Sequence, residues 1–186
     1  MMPRPGAGSQ HEEPAAAAYG GLVLRGLVLD VGGVLVGPGT DPETIGAVVR
    51  HLRGRGVHTA LLSNDPGGPG AQWLRDLEGP FVDRVVLSGD VGIAKPDPES
   101  YRLVARLLDL EPGDCVFVDD FVGNVRGAAA AGMVGVHHDG SREVLTELAV
   151  LFDIDLAGLD DAPPDGAAAD RRRTGGSALE GDTRRW

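Results

Sequence analysis

Short apolar runs alternate along this chain with segments whose apolar residues recur every three or four positions, and that alternation sets the expected fold. The runs at 26–31, 57–62, 84–87, 115–118 and 134–136 are rich in Val and Leu and apolar at successive positions. Strands that read this way belong to a parallel sheet covered on both faces. Between them, Ile45, Val48, Val49 and Leu52 mark one face of a helix that Asp41 would cap and Pro42 would begin. Asp97 and Pro98 repeat the device ahead of Tyr101, Val104, Ala105 and Leu108, and Ser141 is placed to cap a third helix through Val144, Leu145, Leu148 and Leu151. A further helix should run through Val125 and the alanines at 128–131, with Gly54, Gly56 and Gly113 as stops. Strands alternating with helices through right-handed crossovers give a doubly wound α/β domain of about five parallel strands with helices on both faces.

The pattern fades at both ends. Residues 1–20 are rich in Pro, Gly and Ala without periodicity, and residues 158–186 mix Pro, Gly and charge with few apolar residues. Both read as disordered, a leader and a tail around one domain at 21–157. The Arg171–Arg173 run reads as part of a solvated tail.

Composition narrows the partners. A formal net charge of −11 speaks against nucleic acid or an anionic membrane surface, since both are polyanions. The longest apolar stretch, 22–36, contains Arg25 and Asp30 and is shorter than the ~20 residues a membrane-spanning helix needs. With no secretory pattern at the amino terminus, a cytoplasmic location is expected. The one cysteine, Cys115, lies inside an apolar run and reads as a core residue. Aromatic residues make up only 4%, so the core must rest on Val, Leu, Ala and Ile.

Chemistry concentrates where the expected strands end. Asp30 closes the first run ahead of Gly32 and Gly33; Ser63 and Asn64 follow the second; Lys95 stands in the loop before Asp97; Asp119 and Asp120 follow CVFV. Parallel sheets collect the carboxyl ends of their strands along one edge, and that edge binds ligands. Asp30 suits a nucleophile for phosphoryl transfer. Adjacent carboxylates at 119 and 120 repel one another unless a cation lies nearby, and Mg2+ prefers such oxygen ligands. Ser63 and nearby backbone amides could hold phosphate oxygens, and a fixed Lys95 could neutralise charge on the group in transfer. Asn124 could orient one of the acids or face solvent. The five histidines are assigned no role: His137 and His138 are neighbours on a strand and point to opposite faces.

These motifs in this order resemble the haloacid dehalogenase superfamily over roughly residues 22–152. GIAKPDPESY and VFVDDFVGNVRGAAAAGM are the most specific segments. The resemblance implies a Rossmann-like sheet and catalytic magnesium. Asp30 would be nucleophile and metal ligand, with the Gly32 carbonyl a second ligand. Ser63 and Asn64 would bind phosphate, Lys95 would hold nucleophile and phosphate together, and Asp119 and Asp120 would complete the metal site. The activity implied is hydrolysis of a phosphate monoester through an aspartyl-phosphate.

Two departures shape the expectation. Family phosphatases usually carry an acid/base aspartate two residues after the nucleophile, where this chain has Gly32. Only 32 residues separate Asp30 from Ser63, and the Ser63–Lys95 interval is as short, so no sizeable cap domain is expected. An open site suits a small or macromolecular phosphorylated substrate, with an oligomer or a partner chain closing it. The alternative is a non-catalytic domain that binds a phospholigand or protein through a degenerate site. A 2-haloacid dehalogenase fits less well, because it needs no magnesium and so no acidic pair. Receiver domains place their acidic pair first and the phosphorylated aspartate later, the reverse of the order here. Dinucleotide binding lacks its Gly-x-Gly-x-x-Gly after a strand.

Overall fold

The computed structural model describes residues 17–19, 22–140 and 142–157. Five parallel strands form the central sheet: β3 (Gly26–Leu29), β4 (His58–Ser63), β5 (Arg84–Leu87), β6 (Cys115–Asp119) and β7 (Val134–His137). Their order is β5-β4-β3-β6-β7, so the chain builds outward from β3 in one direction and then in the other. That reversal makes β3 and β6, paired from Gly26 with Cys115 to Leu29 with Val118, the topological switch point of the sheet. A small antiparallel pair precedes it, β1 (Ala17–Tyr19) with β2 (Leu22–Leu24). Three residues of the expected leader thus pair as a strand; residues 1–16 and the expected tail at 158–186 lie outside the described residues.

Alternation along the strands divides the core into two layers. Leu27, Leu29, Leu61, Leu87, Val116, Val118 and Val136 face one side. There they meet Ile45, Val48, Val49 and Leu52 of α1 (Pro42–Gly54) and Val144, Leu145, Leu148 and Phe152 of α6 (Glu143–Phe152). Val28, Ala60, Leu62, Val86, Cys115 and Phe117 face the other side. They pack on Tyr101, Val104 and Ala105 of α4 (Pro98–Leu107) and Ala128 of α5 (Val122–Ala131). Strand residues i and i+2 share a face, which is why one apolar run can serve both layers.

The helix starts follow the local chemistry. Asp41 accepts from the Thr44 backbone N–H at 3.1 Å and from its hydroxyl at 2.6 Å. Asp97 accepts from the Glu99 N–H at 2.9 Å. Proline follows each cap, where its missing N–H leaves no bond unmade. Ser141 lies outside the described residues, and α6 begins after Arg142, whose side chain makes no capping bond. Gly113 is not the stop of α4: Asp109, with φ +57°, turns the chain out of the helix, and Gly113 sits in a short 3₁₀ turn. Two four-residue helices, α2 (Gln72–Arg75) and α3 (Ser88–Val91), were not expected, because one turn is too short to show a period.

Only α1 lies between β3 and β4, and only a 3₁₀ turn and α2 between β4 and β5, so among the described residues neither interval holds a cap domain. Among the described residues no helix is long and apolar enough to cross a membrane.

Candidate active site

The switch point brings the expected acids together. Asp30 continues the ladder beyond β3, its N–H donating to the Val118 carbonyl at 2.8 Å. Asp119 ends β6 and Asp120 begins the turn into α5. Oxygen atoms of Asp30, Asp119 and Asp120 lie within 4.8 Å of one another. Asp30 and Asp119 are buried and Asp120 is exposed, so the cluster opens outward through Asp120.

Lys95 joins the two buried acids. Its ammonium, in a side chain only 1% exposed, donates to Asp30 Oδ1 at 2.6 Å and to Asp119 Oδ2 at 2.7 Å. Phe117 lies beneath, its ring centroid 5.3 Å from Nζ and in edge contact with Tyr101. Charge does not balance within this group. Three carboxylates against one ammonium leave −2 when all are ionised, with two of the three carboxylates buried. Burial pushes the Asp30 carboxyl above its ordinary range; Lys95 opposes the shift and Asp119 adds to it. A divalent cation held by oxygen would compensate that deficit, and Mg2+ takes carboxylate oxygens among its ligands.

Two clamps hold the arrangement. Asn64 donates from Nδ2 to the Lys95 carbonyl and accepts at Oδ1 from the Lys95 N–H, both at 2.8 Å. Its carboxamide therefore braces the lysine loop. Asn124 is buried and donates from Nδ2 to both Asp119 oxygens, at 3.1 and 3.0 Å, so it orients that acid. The Phe121 N–H adds a bond to Asp119 Oδ1 at 2.8 Å, and the Tyr101 hydroxyl steadies the Asn124 carbonyl at 2.8 Å. His137 Nε2 lies 2.9 Å from the Asp120 carbonyl, a contact that strand alternation alone did not reveal.

Ser63 ends β4 and is buried. Leu29 pairs with Leu61, so Ser63 stands two residues further along β4, beside the segment that opens with Asp30. Gly32, two residues after Asp30, bridges to Val36. Gly33 is required by geometry: its φ is +71°, and a Cβ there would fall 2.0 Å from Asp120 Oδ2.

Competing sites carry less chemistry. A cleft of about 600 Å³ at the opposite, amino-terminal edge of the sheet is lined by Arg50, Arg53, His58 and Asp83. Arg53 there is committed to the Gly79 and Pro80 carbonyls and to Asp83, so the cleft offers no convergent reactive set. Cys115 is buried, and burial pushes its thiol up to about 12, which leaves no thiolate at neutral pH.

Removing Lys95 should be costly even before any reaction. In chelator, Lys95→Met leaves two buried carboxylates without their shared cation, an effect on the order of 3–5 kcal/mol. Urea unfolding reads it directly, and a loss under 1 kcal/mol would show that the acids relax without the lysine.

A family model described as a haloacid dehalogenase-like hydrolase matches residues 8–132. The sesquiterpene phosphatase astK of Aspergillus oryzae is 36% identical over 104 residues, covering 55% of this chain and 53% of that protein. Phosphatase MT3486 of Mycobacterium tuberculosis is 34% identical over 114 residues, covering 56% of this chain and 52% of that protein. The chain thus spans about half the length of these curated relatives. A crystal structure of an uncharacterized protein from Corynebacterium glutamicum is 41% identical, with a TM-score of 0.66, covering 71% of this chain and 97% of that one.

Proposed function

Because this chain belongs to the haloacid dehalogenase-like hydrolase family, we propose that it is a magnesium-dependent phosphate monoester hydrolase that forms an aspartyl-phosphate on Asp30. The observation that carries the reading is Lys95, buried and bonded at once to Asp30 and Asp119 beside Asp120. A structural ion pair needs one carboxylate for one ammonium. Three acids around a single lysine form a site with room in its charge for a dication and the phosphate it brings. The phosphatases among its relatives support the same reaction class.

Asp30, Asp119 and Asp120 would hold the metal, with the Gly32 carbonyl beside them. When bound, Mg2+ would offset the negative charge of the substrate phosphate and of the group in transfer. The chain's own residues do the rest. Lys95 fixes one Asp30 oxygen, leaving Oδ2 as the atom that attacks phosphorus. Ser63 would donate its hydroxyl to a phosphate oxygen, and Asn64 holds the Lys95 backbone in place. Asn124 and the Phe121 N–H keep Asp119 from turning away as charge shifts. The open sheet edge admits either a small phosphorylated molecule or a phosphorylated chain, and a second subunit could close it.

Phosphate release from 4-nitrophenyl phosphate and from acetyl phosphate, with and without Mg2+, tests the proposal. Metal-dependent release from either is expected. If folded protein releases phosphate from neither, the site is a binding site, and protection of the protein against thermal unfolding by phosphate with Mg2+ becomes the relevant assay.

A further inference from the structure

The cleft at the amino-terminal edge of the sheet holds a charge that the proposed reaction does not use. Its volume of about 600 Å³ is in the range of sites for small molecules. The last turns of α1, the 56–58 turn into β4 and the 79–83 loop ahead of β5 wall it. The acceptors of that wall are occupied. Arg53 donates from Nη1 to the Pro80 carbonyl at 3.3 Å, and from Nη2 to the Gly79 carbonyl at 2.9 Å and Asp83 Oδ1 at 3.3 Å. Asp83 Oδ2 accepts from the Thr59 N–H at 2.7 Å and its hydroxyl at 3.0 Å. Burial works against ionisation of Asp83, but the Thr59 and Arg53 bonds outweigh it and hold the carboxyl below its ordinary range.

The donors are in the opposite condition. Arg50 precedes Arg53 by three positions, so the two stand as neighbours on one side of α1. Arg50 and His58 both line the cleft and are exposed. Neither side chain has a hydrogen bond or ion pair among the described residues. Asp83 offsets the charge of Arg53, which leaves the Arg50 guanidinium uncompensated in the wall, on a chain whose formal net charge is −11. A cationic ligand, or a neutral one that only donates, would find Asp83 and both carbonyls already bonded. An oxyanion would find a guanidinium fork, the group that pairs best with the two oxygens of a carboxylate or phosphate.

We propose that this cleft is a second binding site, for a small organic oxyanion whose carboxylate or phosphate group pairs with Arg50 and receives a further hydrogen bond from His58. Arg53 serves it indirectly, by tying the 79–83 loop to α1 and so holding the far wall in place. The site is separate from the acids. β4 begins at His58 in the cleft and ends at Ser63 on the catalytic edge. A strand rises about 3.3 Å per residue, which puts the two ends about 17 Å apart. The acid cluster, at −2 without its metal, repels anions, so anion binding by the metal-free protein reports on the cleft. The inference stands whether or not Asp30 is a nucleophile.

Citrate and glycerol 3-phosphate are the probes, titrated into the full chain at constant ionic strength while backbone amide resonances are followed. Metal is removed beforehand on a chelating resin, because a soluble chelator is itself a polycarboxylate. Saturable shifts are expected at Gly54, Gly56, His58 and Gly79, with Asp30 and Asp119 unmoved. Arg50→Gln, at an exposed helical position, is expected to weaken binding about tenfold or more. Arg50→Lys, which keeps the charge and loses the fork, should recover only part of it. Tighter citrate identifies a carboxylate ligand and tighter glycerol 3-phosphate a phosphate ligand; either agrees with the site. Shifts that sodium chloride reproduces, shifts confined to the acid cluster, no saturable shift from either probe, or an affinity unchanged in Arg50→Gln would each overturn it.

Discussion

Asp30→Asn is expected to lower phosphate release by about 10⁴–10⁶-fold, the scale on which removing one member of a nucleophilic constellation acts. The amide has the shape of the carboxylate but cannot carry the phosphoryl group as a stable mixed anhydride. The more discriminating half of the result is stability. In chelator at pH 7 the variant should melt at or above wild type. The reason is the sign of the Asp30 shift. Burial, with Asp119 beside it, holds the folded-state value above the ordinary 3.8, and Lys95 offsets only part. A carboxyl raised in this way stabilises the fold fully below its unfolded value and loses that contribution as pH rises through the folded value. At pH 7 the ionised group is therefore a net cost that the neutral amide avoids. The advantage of the variant should open as pH climbs from about 4 and be absent below it. Added Mg2+ should then reverse the order, raising the melting temperature of wild type more than that of a variant with one carboxylate fewer, since a ligand stabilises in proportion to its binding. Retained turnover would remove Asp30 as nucleophile. A variant that melts well below wild type in chelator would mean that the Asp30–Lys95 pair is structural.

Much of this arrangement was legible before any coordinates. The strand runs were visible because each is apolar on both faces, and only a doubly covered parallel sheet needs that. The carboxyl-end positions of Asp30, Ser63 and Asp119 followed, since a parallel sheet has one such edge. The expected strand at 26–31 ends early, at Leu29, because Gly32 and Gly33 turn the chain at once. What stayed hidden was the distribution of work among neighbours. Asn64 sits next to Ser63 and was read as a phosphate ligand. Its carboxamide bridges 31 positions in sequence to the Lys95 backbone, a pairing with no local signature. Asn124 could have faced solvent; helix α5 turns it inward onto Asp119 because three residues after the N-cap its side chain points back at the strand end. The adjacent acids also looked alike in sequence, yet one is wholly buried on Lys95 and Asn124 and the other opens to solvent.

Gly32→Asp is the change that should create activity. Glycine at this position is not imposed by the backbone. Gly32 lies outside the left-handed region that Gly33 occupies, and a Cβ added to it would meet nothing closer than Asp30 Oδ2 at 3.9 Å. A side chain therefore fits there, pointed toward the nucleophile, and a carboxyl so placed can protonate a leaving oxygen and later take a proton from water. Such an acid contributes about 10²–10⁴-fold, or about 3–5 kcal/mol in the barrier. The gain should depend on the leaving group. Alkyl phosphates, whose alkoxides need the proton, should approach the full factor, whereas phenyl phosphate, whose phenolate leaves unaided, should change little. Brønsted plots of kcat/KM against leaving-group pKa read this as a slope, steep in wild type and flatter in the variant. The cost should appear in the metal-free protein, where a fourth carboxylate joins the cluster and lowers the melting temperature in chelator. Equal slopes in a folded, active variant would show that the proton already reaches the leaving oxygen by another route, and position 32 would lose its part in deciding which phosphates this site can break.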